Sequence, residues 1–366
     1  MSNTIGLYIH IPFCKSKCPY CDFYSRKADE NDYNNYTKVL INSITLWSKK
    51  TDKKVSSVYF GGGTPSILGA ERLFVLLHQI KKDFIIADKA EITVEVNPDS
   101  GKELDFELLK NAGFNRISIG MQSAVEQELK ALGRIHSAND AKITVERAQN
   151  AGIKNISLDL MLGIPHQTID SLKKSIDFCA DCGVTHISSY ILKIESGTEF
   201  YKIQNKLELP DEDSQAQLYL FAVDYLKKLG FEQYEISNFS KSGYASRHNI
   251  NYWKCGEYLG IGPSAHSFFE GKRFYYNRKM EDFINNKTCF DCFGGDKEEF
   301  IMLSLRLKSG LNFLEYKSKY NEDFPKEKIR IIKKYADMGC MMLNDKCTYF
   351  SPEGYLVSNT IISELI

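Results

Sequence analysis

The sequence has no excess of charge of either sign: 47 lysines and arginines stand against 47 aspartates and glutamates. The bulk positive charge that marks many nucleic-acid binders is missing, so no nucleic-acid partner is expected, although a local basic patch is not excluded. No apolar run approaches the roughly 18 residues of a membrane-spanning helix, and no transmembrane segment is expected. The opening MSNTIGLYIHIPFC lacks a basic stretch followed by an apolar core and a small-residue cleavage site, so it does not read as a secretory leader. That bears on the 10 cysteines. Without a leader a reducing, cytoplasmic setting is expected, where thiols ligate metals or lie buried rather than pair as disulfides.

What is present is an ordinary globular composition, 43% hydrophobic and 26% charged, in a chain long enough for one large domain and a smaller one. Strand-like runs at Ile5–Ile11, Val55–Phe60, Glu91–Val96, Asn115–Ile119, Ile156–Leu162 and His186–Leu192 alternate with helical patterns, as in Glu71–Lys82, where Leu73, Phe74, Leu77 and Ile80 follow the helical period. Four segments share one form, KNAGFNRISI, QNAGIKNISL, ADCGVTHISS and KKLGFEQYEI, each a helix end, a glycine (Gly113, Gly152, Gly183, Gly230) and a strand. Strand–helix alternation with right-handed crossovers predicts an α/β fold, a partial parallel (β/α)6 barrel of the TIM type over residues 1–240. Residues 241–296 read as a connecting region, with Lys241–Gly262 more like a binding loop than an element. Residues 297–366 read as a small helical domain, with helices at Glu298–Leu307, Phe313–Tyr320 and Lys326–Met338. Strand-like pieces at Met341–Leu343, Thr348–Phe350 and Tyr355–Val357 would give it the wing of a winged helix. In a neutral chain this is expected to be a lid or docking module rather than a DNA reader.

Cys14-Lys-Ser-Lys-Cys18-Pro-Tyr-Cys21 follows the first strand. Three thiolates at this spacing on one loop can hold three corners of an iron–sulfur cube and leave the fourth iron open to a ligand. Pro12 and Pro19 keep the segment from becoming helical. The alternatives are three unrelated thiols, or a zinc site short of its fourth ligand. In a parallel barrel, ligand-binding groups gather at the C-terminal ends of the strands. There the second strand runs into Gly61-Gly62-Gly63-Thr64-Pro65, the third carries Glu95, the fourth Gln122 and the fifth Asp159. Each is weak alone, yet all occupy equivalent places on successive units.

The string LYIHIPFCKSKCPYC resembles the CxxxCxxC signature of the radical S-adenosylmethionine (radical SAM) superfamily, and its lead-in resembles the branch around oxygen-independent coproporphyrinogen III oxidase. The resemblance extends through FNRISIGMQS, HNINYW and LSLRLKSG. It implies a [4Fe–4S] cluster on Cys14, Cys18 and Cys21 whose open iron binds the methionyl end of SAM, an electron from the cluster cleaving the sulfonium to a 5′-deoxyadenosyl radical. It further implies that Gly62, Gly63 and Thr64 receive the methionyl amine, that Glu95, Gln122, Arg134 and Asp159 contact SAM, that Tyr20 covers the cluster and that Tyr8 stands beside it.

Two departures separate the chain from the oxidase: Phe23 replaces a further cysteine two positions after the third, and only 13 residues precede Cys14. Both resemble the sister family of haem chaperones. That likeness implies haem as cargo, an electron donor and a haem-acceptor protein of respiratory type. It also implies a cytoplasmic protein able to meet membrane-bound acceptors peripherally, and no decarboxylating activity. The oxidase and a related methyltransferase stay open as rivals. His248-Asn-Ile-Asn-Tyr252-Trp253 resembles that family's haem-associated motif; an imidazole can ligate iron and the two aromatics offer flat faces. Read from the residues alone, His248 is a hydrogen-bonded loop histidine. His266 competes with it. Cys179/Cys182 and Cys289/Cys292 could each bind metal or cycle as dithiols.

Overall fold

The computed structural model describes residues 3–366. Strands β1 (Thr4–Ile11), β2 (Lys54–Gly62), β3 (Ile86–Val96), β4 (Arg116–Gln122), β5 (Asn155–Leu162) and β6 (His186–Ile191) pair in parallel in that order, which is the expected six-stranded partial barrel. Period-two patterning sets the two faces. On β1, Ile5, Leu7, Ile9 and Ile11 are fully buried against the helical layer. Each such side chain contributes about 1.5–3 kcal/mol on burial. The intervening Gly6, Tyr8 and His10 line the interior. The inner wall is polar throughout: Ser57 and Tyr59 on β2, Glu91, Thr93 and Glu95 on β3, Arg116 and Ser118 on β4, and Ser157 and Asp159 on β5.

All four repeat glycines adopt positive φ, from 69° at Gly183 to 110° at Gly113, the conformation that closes a helix before a strand. The first three lead into β4, β5 and β6. The fourth leads into β7 (Glu232–Glu235), which pairs antiparallel with β8 (Asn238–Ser240), itself antiparallel to β6, so this copy ends the parallel ring rather than continuing it.

The stretch 241–296 differs from the connecting loop expected. Arg247–Trp253, the HNINYW motif, is a helix, and four strands follow: β9 (Tyr258–Ile261), β10 (His266–Phe269), β11 (Lys272–Tyr276) and β12 (Thr288–Phe293). β9 pairs parallel with β1, and β10 to β12 extend it antiparallel, giving one twelve-stranded sheet that ends at β12 and β7 without closing. The helix forms because Ser246 caps it and the Glu91 carboxylate accepts from the N–H groups of Arg247 and His248, both at 3.0 Å. That partner lies 155 residues away from Ser246, beyond local sequence reading.

The C-terminal region has helices at Lys297–Ser304, Phe313–Tyr320 and Lys326–Asp337 with a small sheet ordered β13 (Leu311–Asn312), β15 (Cys347–Phe350), β14 (Met341–Leu343). The strand expected at Tyr355–Val357 is instead the end of a helix, Pro352–Leu356. Ser351 caps it and Pro352 supplies a preset first turn. Among the described residues no helix is long and apolar enough to cross a membrane.

Candidate functional site

The cysteine loop is tied at its base. Phe13 bridges Arg26, Cys14 N–H donates to the Arg26 carbonyl (3.1 Å), and Arg26 N–H donates to that of Pro12 (2.9 Å). Cys14, Cys18 and Cys21 are free and partly exposed at the C-terminal mouth of the barrel. Cys14 Sγ lies 3.4 Å from Thr64 Oγ1, and Cys18 Sγ accepts from an Arg134 guanidinium nitrogen at 3.3 Å. Burial pushes the Cys21 thiol up, a backbone hydrogen bond from Phe23 opposing and Cys18 and Cys14 adding to the rise. Among the described residues no three His, Cys, Asp or Glu groups stand close enough to hold a single ion. A cube takes its thiolates at separate corners, and hydroxyl and guanidinium donors beside the sulfurs suit the charge of such a cluster.

Facing the loop is the turn after β2. Gly63 N–H donates to the Ile11 carbonyl and Thr64 N–H to that of Phe13, both at 2.8 Å, while Gly62 N–H donates to Glu95 (3.2 Å). With these donors engaged, the turn offers carbonyl and hydroxyl oxygens, the acceptors an ammonium group needs. A Cβ on Gly63 would stand 2.6 Å from the Phe13 carbonyl oxygen and 3.0 Å from that of Ile11, so only glycine lets the turn approach the cysteine lead-in.

Glu95, the penultimate residue of β3, also accepts from Tyr59 OH at 2.8 Å. Burial raises its pKa to about 7, the Tyr59 hydrogen bond opposing and Asp159 adding to the rise. Gln122 ends β4 with φ 71°, a left-handed conformation costly for a non-glycine residue and frequent at functional sites. Its amide and the Arg134 guanidinium both close on Gly120, where a Cβ would meet them at 3.1 and 3.3 Å. Arg134 further donates to Asn97 Oδ1 (2.8 Å) and the Gly120 carbonyl (2.6 Å). Tyr20 packs on Phe200, ring centroids 6.1 Å apart, in a small apolar cluster with Leu132 and Met161.

Two residues sit deeper than the sequence suggested. Tyr8, which the resemblance puts beside the cluster, is in the middle of β1, stacked on Tyr59 and bonded to His10 Nδ1 at 3.1 Å. Asp159 is at mid-strand, accepting from Ser118 and Ser157 at 3.2 Å each, and burial raises its pKa.

The HNINYW helix lies at the other end of the barrel. A Cβ on Gly6, near the start of β1, would meet Asn251 and His248. His248 is 1% exposed and has both ring nitrogens engaged, by Ser57 Oγ at 2.8 Å and Tyr252 OH at 2.7 Å. Burial lowers its pKa to about 3, Arg116 adding to the effect. Its ring stacks on Tyr59, centroids 5.1 Å apart. Trp253 is half-buried beside the helix end. The geometry therefore gives His248 a satisfied, buried role and presents no free imidazole there.

Sequence reading missed Tyr59, Glu91, Asn97 and Arg116. Alternation was the available signal for three of them: Glu91 shares the inner face with Glu95, Arg116 with Ser118, and Tyr59 with Gly61.

An open parallel barrel with a three-thiol loop after β1 is the architecture of radical SAM proteins, and the sequence model of the radical SAM superfamily matches residues 8–179. The chain is 32% identical to the heme chaperone HemW of Bacillus subtilis over 98% of both chains. It is 40% identical to heme chaperone HemW of Haemophilus influenzae over 72% of this chain and 70% of the relative. It belongs to the HemW family within that superfamily. Coproporphyrinogen III oxidase (HemN) from Escherichia coli, described as a radical SAM enzyme, superposes with a TM-score of 0.84 over 99% of this chain and 90% of its own; at 19% identity it shows the fold alone. Superfamily membership makes a [4Fe–4S] cluster and SAM the cofactors of this chain.

Proposed function

We propose that this chain binds haem and hands it to an acceptor protein, using a [4Fe–4S] cluster and SAM held at the barrel mouth. The observation that carries the reading is likeness along the whole chain to a relative named as a heme chaperone. Cys14, Cys18 and Cys21 hold the cluster, which supplies an open iron and an electron. Thr64 and Arg134 donate toward its sulfurs. Gly62, Gly63 and Thr64 take the methionyl amine through oxygens, Glu95 accepts from ribose hydroxyls, and Gln122 and Arg134 orient the rest of SAM. Tyr20 walls the cluster, and Tyr8 and Asp159 act from beneath, the first through His10 and the second through its serine network. Haem association of Tyr252 and Trp253 rests on their aromatic faces. For His248 to ligate iron, its bonds to Ser57 and Tyr252 must first open. The acceptor is a respiratory haem protein, met in the cytoplasm or at the membrane surface, and a separate protein donates the electron.

The test is anaerobic reduction of the reconstituted protein with haem and, separately, with coproporphyrinogen III. Stoichiometric haem uptake without protoporphyrinogen formation is expected. Turnover to protoporphyrinogen would replace the chaperone with an enzyme.

A further inference from the structure

Two features left unexplained by the barrel site, His266 and the Cys289/Cys292 pair, come together on one surface. His266 stands opposite Tyr275 in the β10–β11 ladder, and Tyr275 opposite Cys289 in β11–β12. Residues directly opposed in neighbouring strands project to the same face, so the three form a row. The His266 and Tyr275 rings stack at 5.1 Å and 23°.

Cysteines three apart on a regular strand would point to opposite faces. Here the register shifts, Phe274 opposing Phe290 and Arg273 opposing Cys292, so Asp291 is an extra residue in β12. The bulge returns Cys292 to the face of Cys289. The opposite pair obeys the same geometry: the rings of Phe290 and Phe293 meet at 5.3 Å.

This face continues the barrel's inner wall. Gly6 opposes Tyr258 and Tyr258 opposes Phe268, which lies two residues from His266 on the same side of β10. The row is at the cluster end, because Arg278, just past β11, pairs with Asp22, the residue after Cys21, at 3.2 Å. His266 and Cys292 are exposed, Tyr275 and Cys289 partly so. His10, His186 and His248 each engage both ring nitrogens in hydrogen bonds. His266 engages neither among the described residues. Burial lowers its pKa, Asp291 opposing and Arg273 and Arg278 adding, so the ring is neutral near pH 7 with a lone pair to offer.

We propose that this shelf is the haem site: His266 ligates the iron, Tyr275 backs the imidazole and fixes its orientation, the Cys289 thiol lies in the same row with Cys292 further along that face, and Arg278, on leaving Asp22, receives a propionate. Imidazole and thiolate are both haem-iron ligands, and a guanidinium is the usual partner of a carboxylate. Arg278 keeps 58% of its side chain exposed beside the row. The inference rests on the haem reading above and deepens it, moving the iron from the buried His248 to an open face beside the cluster loop.

The full chain, reconstituted with its cluster, is titrated with ferric haem and followed by absorbance and electron paramagnetic resonance. Variants are His266→Ala, Cys289→Ser with Cys292→Ser, and all three together, with iron content and SAM binding as controls for folding. His266→Ala should weaken haem binding about tenfold or more and abolish the imidazole-ligated signature. A thiolate signature appearing in that variant, and vanishing in the triple variant, would also place iron on the shelf. Wild-type affinity and spectrum in the triple variant would overturn the shelf and leave the haem reading intact. A wild-type chain that takes up no haem would overturn both.

Discussion

Glu95 joins the two halves of the interior: its carboxylate takes the Gly62 N–H from the mouth and the Tyr59 hydroxyl from below, and Tyr59 stacks on His248. Because burial raises its pKa to about 7, the chain without SAM holds a proton there below that pH. On the proposed reading Glu95 accepts ribose hydroxyls, for which it has to lose that proton. SAM affinity should therefore increase as pH rises through about 7, with proton release on binding at pH 6, read by calorimetry in two buffers; Glu95→Gln should flatten the profile. A wild-type affinity independent of pH would remove Glu95 from the contact. At Gly63 the constraint is steric. Gly63→Ala sets a methyl against two backbone oxygens of the cysteine lead-in and should reduce both cluster content and SAM affinity while leaving the far-ultraviolet circular dichroism unchanged.

Among the elements, the Arg247–Trp253 helix depends most on a distant partner. Glu91 accepts from the N–H groups of Arg247 and His248 and from Ser246 Oγ, and its charge faces the buried Arg116. Glu91→Ala leaves two helix N–H groups without their acceptor and the buried Arg116 guanidinium with Asp159 as its remaining carboxylate, which should cost about 2–4 kcal/mol in chemical denaturation. Glu91→Gln, keeping one acceptor, should cost less; equal losses would mean that packing rather than hydrogen bonding is at stake. The same helix marks the limit of sequence reading. β1 to β6 were legible because each is an apolar run with its period intact, and the cysteine loop because its spacing is chemical. HNINYW read as a loop because its cap is Glu91, far along the chain. β9 to β12 were missed because their aromatic, glycine-rich sequence carries no clean alternation, and the bulge at Asp291 breaks what there is.

At the scale of the molecule, one open sheet carries the whole chemistry. Its parallel centre gathers the thiols, the glycine turn, Glu95, Gln122 and Arg134 at one mouth, its antiparallel flank sets His266 and Cys289 on the mouth side with Cys292 further down β12, and the 247–253 helix closes the opposite end. The C-terminal helices reach the flank through Glu299, which pairs with Arg273 and accepts from Gly295 N–H. The claim on which the rest depends is that Cys14, Cys18 and Cys21 together hold a single cube. Anaerobic reconstitution with iron and sulfide, followed by quantitation of both, measures it directly. Wild type should hold roughly four irons and four sulfides per chain and each single Cys→Ser variant far fewer. Full iron and sulfide loading in any of the three variants would contradict it.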